Sequence, residues 1–329
     1  RDLNFSALRT LLRRRAEEIK EGYEERHQAQ TLQQIHGFTK RLGAMEQQRK
    51  SLSTHINLAQ AINQRVRSSD FMRQLECEQA LIASGGEQAL LGSSGASDAC
   101  ADFVEDLIGH GEPLPRVLRL LCLLSLISHG LKAKQLAFFR NEVLQTYGFE
   151  LAFTLDRLER VGLLRKHEGR GPWPALRKGL RLVVDDADDE NPEDVTFAYS
   201  GYAPLSVRII QQACTPHWLG AQESLKSLPG PLFEHLPGAV DGAGTTRGGG
   251  GGPPARGEDQ VPLTVVVFIG GCTSAEVAAL RWLSTRPGAT DRFIVVTTSL
   301  ITGTTFVEEL LDKVENGLTS HEAGGSGFF

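Results

Sequence analysis

The chain has 329 residues, of which 40% are hydrophobic and 23% are charged, and its formal net charge is −5. This is the composition of an ordinary globular protein of two or three domains, and the net charge argues against nucleic-acid binding through overall charge. Five cysteines stand singly, which favours reduced thiols in a cytosolic protein over disulfides or zinc. No apolar run is long enough to span a bilayer. The chain starts abruptly in a helical pattern, so we expect it to be the C-terminal part of a longer protein.

Residues 1–68 are predicted to form a long helical hairpin. Apolar residues recur there at steps of three and four, from Phe5 through to Val66, while the other faces are rich in Arg, Lys, Glu and Gln. The pattern alone leaves two interpretations open. The hairpin is either a solvated element that packs only on its neighbour, or a surface that templates the helices of a partner.

Residues 69–184 are predicted to form a helical block. Residues 84–101 are rich in Gly and Ser and indicate a loop. Val117–Ile127 is apolar on every face, which predicts a core helix that ends near Gly130. Lys132–Gln145 is predicted to be the next helix.

A third helix of this block is predicted to begin at Thr154, and Arg165–Trp173 would follow it as a wing. This arrangement resembles a winged-helix unit, so a winged-helix regulator that binds nucleic acid is the alternative function. Acidic and basic residues alternate along the helix, which therefore lacks a basic recognition face; they are Asp156, Arg157, Glu159 and Arg160. A winged helix that contacts protein fits better.

Residues 185–237 are predicted to connect the block to a further domain, with a solvated acidic turn at 185–190. The string FAYSGYAPLSVRII begins at Phe197 with alternating aromatic residues, which indicates an extended segment or strand. A turn at Gly201 and a helix after Pro204 follow. The string contains no catalytic or metal-binding set, so a buried connector is the simplest interpretation.

Residues 238–260 are a Gly-rich insertion that we expect to be disordered, and residues 261–329 are predicted to belong to an α/β domain. The strands Leu263–Ile269 and Phe293–Thr298 flank a helix at Ser274–Leu283, which predicts one βαβ unit with parallel strands. Two strands do not make an independent sheet. We therefore expect this unit to be the C-terminal portion of a discontinuous parallel-sheet domain, in a fold that mixes α and α/β parts.

The sequence shows no assembled catalytic constellation. The loop at Gly270–Thr273 lacks the Gly-rich phosphate-binding motifs, and Thr273 with Glu276 instead predicts a helix capping box. The nine histidines lack zinc-ligand spacing. We expect a protein that is not an enzyme and that needs neither cofactor nor metal.

Five stretches resemble, in order, the SM (Sec/Munc) family, whose members chaperone SNARE assembly in membrane fusion. They are RDLNFSALRTLLRRRAEEIKEGYEERHQAQTL, EVLQTYGFELAFTLDRLERVGLL, LRLVVDDADDENPEDV, YSGYAPLSVR and VVVFIGGCTSAEVAALRWL. The resemblance implies that 1–68 is the domain 3a hairpin and 69–184 is domain 3b. It also implies that domain 2 is discontinuous, and that its C-terminal portion starts within 185–237 and continues in 261–329.

The resemblance also implies a function and partners. The chain would be a SNARE-assembly chaperone and a subunit of a vesicle-tethering complex of the HOPS or CORVET type, in transport from endosome to lysosome or vacuole. It would be cytoplasmic and peripheral on late endosomal and lysosomal membranes. Its partners would be SNARE proteins and a tether subunit like vacuolar protein sorting-associated protein 16, with no nucleic acid.

Two sets of contact residues follow from the resemblance. SNARE contact is expected on the distal part of the hairpin, at Leu42, Gly43, His55 and Ile56. Gly43 stands where many members have a proline near a bend, and since Gly also weakens a helix, we expect that bend to survive. Ile56 could equally be a core residue.

Tether-subunit contact is expected at Arg140, Phe149, Ala152 and Phe153. Phe149 follows a helix end, where an aromatic side chain can project outward as an interface anchor; the alternative is that it packs against its own core. Arg140 would supply a charge at the rim. Ala152 is smaller than the residue expected at its position, and Phe153 is expected to compensate for it.

Overall fold

The computed structural model describes residues 5–28, 31–84, 95–169, 171–184, 192–214, 261–289 and 291–311, with the single residues 188, 226, 228 and 233. The Gly-rich insertion at 238–260 and most of the acidic run at 185–190 lie outside the described residues. Helices make up most of the described chain, and a small parallel sheet of two strands accompanies them. No helix in these ranges has both the length and the apolar character needed to cross a membrane.

Two helices form the N-terminal hairpin, α1 (Phe5–Gln28) and α2 (Leu32–Val66), and they contact each other. The prediction of a bend at Gly43 is wrong, because α2 runs through this residue as one helix of 35 residues. The distal placement is wrong for His55 and Ile56 but not for Leu42 and Gly43. Leu42 lies about 15 Å and Ile56 about 36 Å from the start of α2, at 1.5 Å per residue.

Six α-helices and a short 3₁₀ helix form the helical block. The predicted loop at 84–101 is wrong in its last residues, because a helix already begins at Ala96; residues 85–94 lie outside the described part. The helices are α3 (Ser69–Ser84), α4 (Ala96–Gly109), α5 (Leu114–Ile127), α6 (Ala133–Tyr147), α7 (Ala152–Arg160) and α8 (Trp173–Gly179), and the 3₁₀ helix is Phe149–Leu151.

Helix α5 lies at the centre of this block, as its apolar sequence predicted. Eight of its fourteen residues are buried, and they pack with buried side chains of α3, α4, α6 and α7. The helix is followed by Gly130, whose φ of 101° and N–H bond to the Ser125 carbonyl at 2.7 Å close the turn. A Cβ at Gly130 would lie 2.5 Å from the Lys166 carbonyl oxygen, so only glycine fits there.

Helix α3 is fastened to the rest of the block by ion pairs. Arg67 and Ser68 alone separate it from α2, and the Ser68 hydroxyl accepts a hydrogen bond from the Phe71 N–H at 3.3 Å. Three ion pairs of 2.6–2.8 Å join α3 to α4 and α5; they are Arg73–Asp106, Arg116–Asp70 and Arg119–Glu78. The base of the hairpin is thereby tied to the core.

The predicted wing at Arg165–Trp173 is wrong. Within the described residues of this stretch, the β-pairing is a single bridge between Lys166 and Leu131, and Trp173 begins α8. A wing requires two strands that pair with each other, and this stretch does not supply them.

The connector differs from its prediction in its first part. The segment that contains Phe197 is a 3₁₀ helix at Val195–Ala198, not a strand. The Phe197 N–H donates to the Asp194 carbonyl at 3.3 Å, a local hydrogen bond that a strand does not make. The turn at Gly201 (φ 110°) is present as predicted, and α9 (Leu205–Ala213) follows Pro204.

The C-terminal part is the predicted βαβ unit. Strand β1 (Leu263–Phe268) pairs in parallel with β2 (Arg292–Thr297), and α10 (Ser274–Thr285) connects them. One face of the sheet packs on α10 and the connector, whereas the alternate residues point to solvent. Residues 303–311 form a last helix, α11, whose Val307 is buried in the core of the helical block.

Candidate functional site

The connector is held by a buried ion pair. Arg208 of α9 is only 7% exposed, and its guanidinium donates to both carboxylate oxygens of Asp194 and, at 3.0 Å, to the Arg181 carbonyl. Burial would raise the pKa of Asp194, but its hydrogen bonds and attraction to Arg208 outweigh burial and hold that pKa below the ordinary value. The burial of Arg208 and Val207 agrees with a buried segment in the string that ends in SVRII.

The connector also forms hydrogen bonds with the first turn of α10. The Tyr199 hydroxyl donates to the Thr273 hydroxyl at 3.2 Å, and the Ser206 hydroxyl donates to the Glu276 carboxylate. Thr273 and Glu276 form the predicted capping box, with the Glu276 N–H donating to the Thr273 hydroxyl and the Thr273 N–H to the Glu276 carboxylate. Four polar groups therefore converge at this helix end.

A cavity of about 1000 Å³ opens beside this helix end. Its walls come from α3, α5 and α11 on one side and from the Tyr199–Ser206 turn and the start of α10 on the other. The Glu78–Arg119 ion pair lies in one wall and Glu276 lies in another. Among the described residues, Glu276 accepts hydrogen bonds only from Ser206 and Thr273 and pairs with no cation.

The cavity wall contains two neutral tyrosines. Their ring centroids lie 5.9 Å apart, and burial raises the pKa of Tyr202 to about 12, with Tyr199 and Glu276 adding to the effect. Burial likewise raises the pKa of Tyr199. Both rings remain uncharged at neutral pH, so Glu276 supplies the charge at this end of the cavity.

Two aromatic side chains stand out from the helical block, and we call Phe149 and Phe153 the aromatic surface. Phe149 is 75% exposed and Phe153 is 63% exposed. The buried side chains of α7 are Thr154, Leu155 and Leu158, so the core lies on another face of this helix. The alternative in which Phe149 packs into its own core is therefore wrong.

The other residues expected at this surface take different positions. Arg140 of α6 donates to the Glu159 carboxylate at 2.8 Å, so it is held by α7 and is not a free charge. Ala152 is half-buried at the start of α7. On the same helix Arg160 pairs with Asp156 at 2.7 Å. Helix α7 therefore does not present a basic face, and nothing favours the nucleic-acid alternative.

The hairpin does not bring its four expected residues together. All four lie on α2, but Leu42 and Ile56 are two heptads apart on one face, whereas His55 is on another. Ile56 is 42% exposed, so it is not a core residue, while Leu42 is half-buried and Gly43 is exposed. The His55 Nδ1 lies 2.7 Å from the Ser51 carbonyl oxygen of its own helix.

Two apolar residues of α2 were missed in the sequence. Leu58 is 57% exposed and Ile62 is 46% exposed, and with His55 they stand at positions i, i+3 and i+7 on one face. We call His55, Leu58 and Ile62 the α2 strip. The sequence contains a signal for them, because Leu58 and Ile62 lie outside the apolar stripe that contains Leu52 and therefore indicate a second apolar face on this helix.

The described residues offer contact surfaces rather than reacting groups. No three His, Cys, Asp or Glu side chains in this part of the chain come together as a metal site requires. Burial raises the pKa of the Cys122 thiol to about 12, and burial with nearby Cys77 and Glu78 does the same for Cys100, which disfavours nucleophilic thiolates.

Comparison with known proteins gives concordant matches. A model of the Sec1 family matches residues 1–309. The chain is 40% identical over 314 residues to vacuolar protein sorting-associated protein 33A of Rattus norvegicus, which covers 95% of this chain and 49% of that protein. It is 36% identical to the vacuolar protein-sorting-associated protein 33 homolog of Arabidopsis thaliana, over 95% of this chain and 51% of that protein.

The chain thus spans about half the length of the curated relatives it matches. One solved structure, the SM protein Vps45 in complex with the Qa SNARE Tlg2, is 16% identical to it with a TM-score of 0.46, and covers 95% of this chain and 49% of that one.

Proposed function

The chain belongs to the Sec1 (SM) family, and from this premise we propose that it is a non-enzymatic factor that binds SNARE proteins in vesicle trafficking to the vacuole or lysosome. The match over residues 1–309 is the observation that carries the proposal. The names of the relatives, which refer to vacuolar protein sorting, supply the direction of transport. The exposed helical and aromatic surfaces agree with a role in binding partners.

The SNARE contact is proposed for α2. A SNARE helix needs an exposed apolar strip on a stable helix, since packing of apolar faces drives helix–helix association in water. The α2 strip provides such a face, with Leu58 and Ile62 both well exposed. Ile56 lies on a different face of the same helix, and Leu42 and Gly43 would lie further along it.

A binding measurement with Qa SNARE motifs tests this proposal. We expect the double variant Leu58→Glu, Ile62→Glu to bind at least about tenfold more weakly, because two charges would be buried against the partner. Gln60→Glu adds the same charge at an exposed polar position and serves as the matched control. Unchanged binding by the double variant, with circular dichroism showing an intact hairpin, would exclude the α2 strip as the contact.

We further propose that the aromatic surface binds a tether subunit like vacuolar protein sorting-associated protein 16. Assembly into a HOPS or CORVET type complex would then place the chain in the cytoplasm, peripheral on late endosomal and lysosomal or vacuolar membranes. Two exposed Phe side chains on consecutive helical elements suit this role, because buried aromatic residues supply much of the binding energy at protein interfaces. Arg140, paired with Glu159, would contribute little by itself.

A further inference from the structure

The cavity beside the first turn of α10 has the features of a ligand site. Its volume of about 1000 Å³ is at the upper end of the range for small-molecule pockets. Apolar side chains make most of its wall, among them Leu123, Leu126, Phe306 and Ile82. Two of these, Leu126 and Phe306, are large apolar residues that remain exposed to solvent. A ligand with an apolar body would cover them.

One end of the cavity is suited to a positive charge. Tyr199 and Tyr202 line this end, and neutral aromatic rings attract cations through their faces. The carboxylate of Glu276 lies at the same helix end and has no cationic partner among the residues that the structure describes. The other charged groups in the wall, Glu78 and Arg119, neutralise each other.

We propose that this cavity binds a single-chain cationic amphiphile, with its ammonium group against Glu276 and the two tyrosines and its chain along Leu123, Leu126 and Phe306. A peptide fits less well, because its backbone N–H and C=O groups would need partners and the apolar wall offers few. An anionic amphiphile would bring its charge against Glu276. The site is separate from the α2 strip and the aromatic surface, so it does not depend on the proposed function.

Titration calorimetry with octylamine, octanol and octanoate at pH 7.5 tests the proposal. The three compounds share a chain and differ in head-group charge. We expect octylamine to bind with one-to-one stoichiometry and at least tenfold more tightly than octanoate, with octanol in between. Equal affinities for the amine and the carboxylate, or an absence of saturable binding, would overturn the proposal.

Variants separate the two ends of the site. Glu276→Gln keeps a residue that can form the capping box, and it should bring octylamine within about twofold of octanol without changing octanol affinity. Glu105→Gln, on the exposed side of α4, is the matched control and should keep the amine preference. Phe306→Ala should weaken all three compounds. If Glu276→Gln still prefers the amine, the placement of the ammonium group against Glu276 is wrong. If a thermal melt shows that this variant is unfolded, the proposal is judged by the order of affinities of the three compounds for the unsubstituted protein.

Discussion

A single residue, Arg208, decides how firmly the connector is held. It is buried and its partner Asp194 is partly so; a buried pair is strongly destabilised when one member is removed, because the remaining charge is left without compensation. We expect Arg208→Ala to lower the free energy of unfolding by about 3 kcal/mol, measured by urea denaturation.

The ion pair Arg160–Asp156 provides the control for this prediction. It lies on the exposed side of α7, where measured pairs contribute little, so Arg160→Ala should cost less than about 1 kcal/mol. Similar losses in the two variants would mean that Arg208 is not acting through its burial.

Phe149 is the residue on which tether binding is expected to depend. Phe149→Asp should remove about 2–4 kcal/mol of binding energy, because the aromatic anchor would be replaced by a charge at the interface. Its melting temperature should be unchanged, since the side chain is exposed in the free chain. The measurement is a pull-down with the C-terminal region of the proposed tether subunit, alongside a thermal melt.

Met72→Asp is a suitable control for this variant, because Met72 is an exposed apolar residue on α3, away from the aromatic surface. It should leave the pull-down intact. Retained binding by Phe149→Asp, or equal loss in the control, would count against the aromatic surface.

At the scale of elements, the unbroken course of α2 makes Gly43 a weak point rather than a bend. A Cβ added at Gly43 meets no heavy atom within 4 Å, and Gly is less favourable than Ala in a helix interior. Gly43→Ala should therefore raise the free energy of unfolding by about 0.5–1 kcal/mol. Chemical denaturation followed by circular dichroism measures it.

Two other glycines provide comparisons. Gly37 is also in α2 with open space around it, so Gly37→Ala should give a similar gain. Gly201 has φ of 110°, and its added Cβ would lie 2.7 Å from the Val184 carbonyl oxygen, so Gly201→Ala should destabilise. A loss of stability in Gly43→Ala would instead show that the glycine serves a bent conformation.

Elements with an uninterrupted local pattern were predictable from sequence. The apolar run of α5 predicts a buried helix, and the strand–helix–strand order at the C-terminus predicts two parallel strands; both are present. The capping box at Thr273 is also local, because its two side chains are three residues apart.

Predictions from the sequence were wrong where contacts between distant residues decide the local structure. Phe197 reads as part of a strand, but packing against Trp282 at a ring distance of 5.5 Å accompanies a 3₁₀ turn instead. Gly43 stays helical because α2 continues for several turns on both sides of it, which the glycine alone does not reveal. Leu58 and Ile62 could not be assigned to a surface until the position of α1 was known, since the sequence does not show which face α1 covers.

At the scale of the whole molecule, one face of the sheet is left uncovered in the described chain. The outward residues of its two strands are apolar and exposed; they are Leu263, Val265, Val267, Ile294 and Val296. A two-stranded sheet with one uncovered apolar face is marginally stable and prone to association. In the isolated chain we expect residues 263–297 to exchange amide hydrogens faster than α5.

Hydrogen-exchange mass spectrometry of dilute, monomeric protein checks this expectation, with the buried helix α5 as internal reference. The α6 helix, in which only Phe139 and Val143 are buried, controls for simple exposure. Protection of β1 equal to that of α5 in the monomer would contradict the prediction and would mean that the βαβ unit is stable without a cover on its outer face.

The length of α2 has a mechanical consequence. With 35 residues at 1.5 Å each, the helix extends about 52 Å from its joint with α3. The helix can pivot about the two-residue joint at Arg67 and Ser68. A rotation of about 5° there would displace the far end by roughly 5 Å, close to one helical turn. The ion pairs hold α3 on the core, so the backbone conformation of this two-residue joint sets where the far end of the hairpin points.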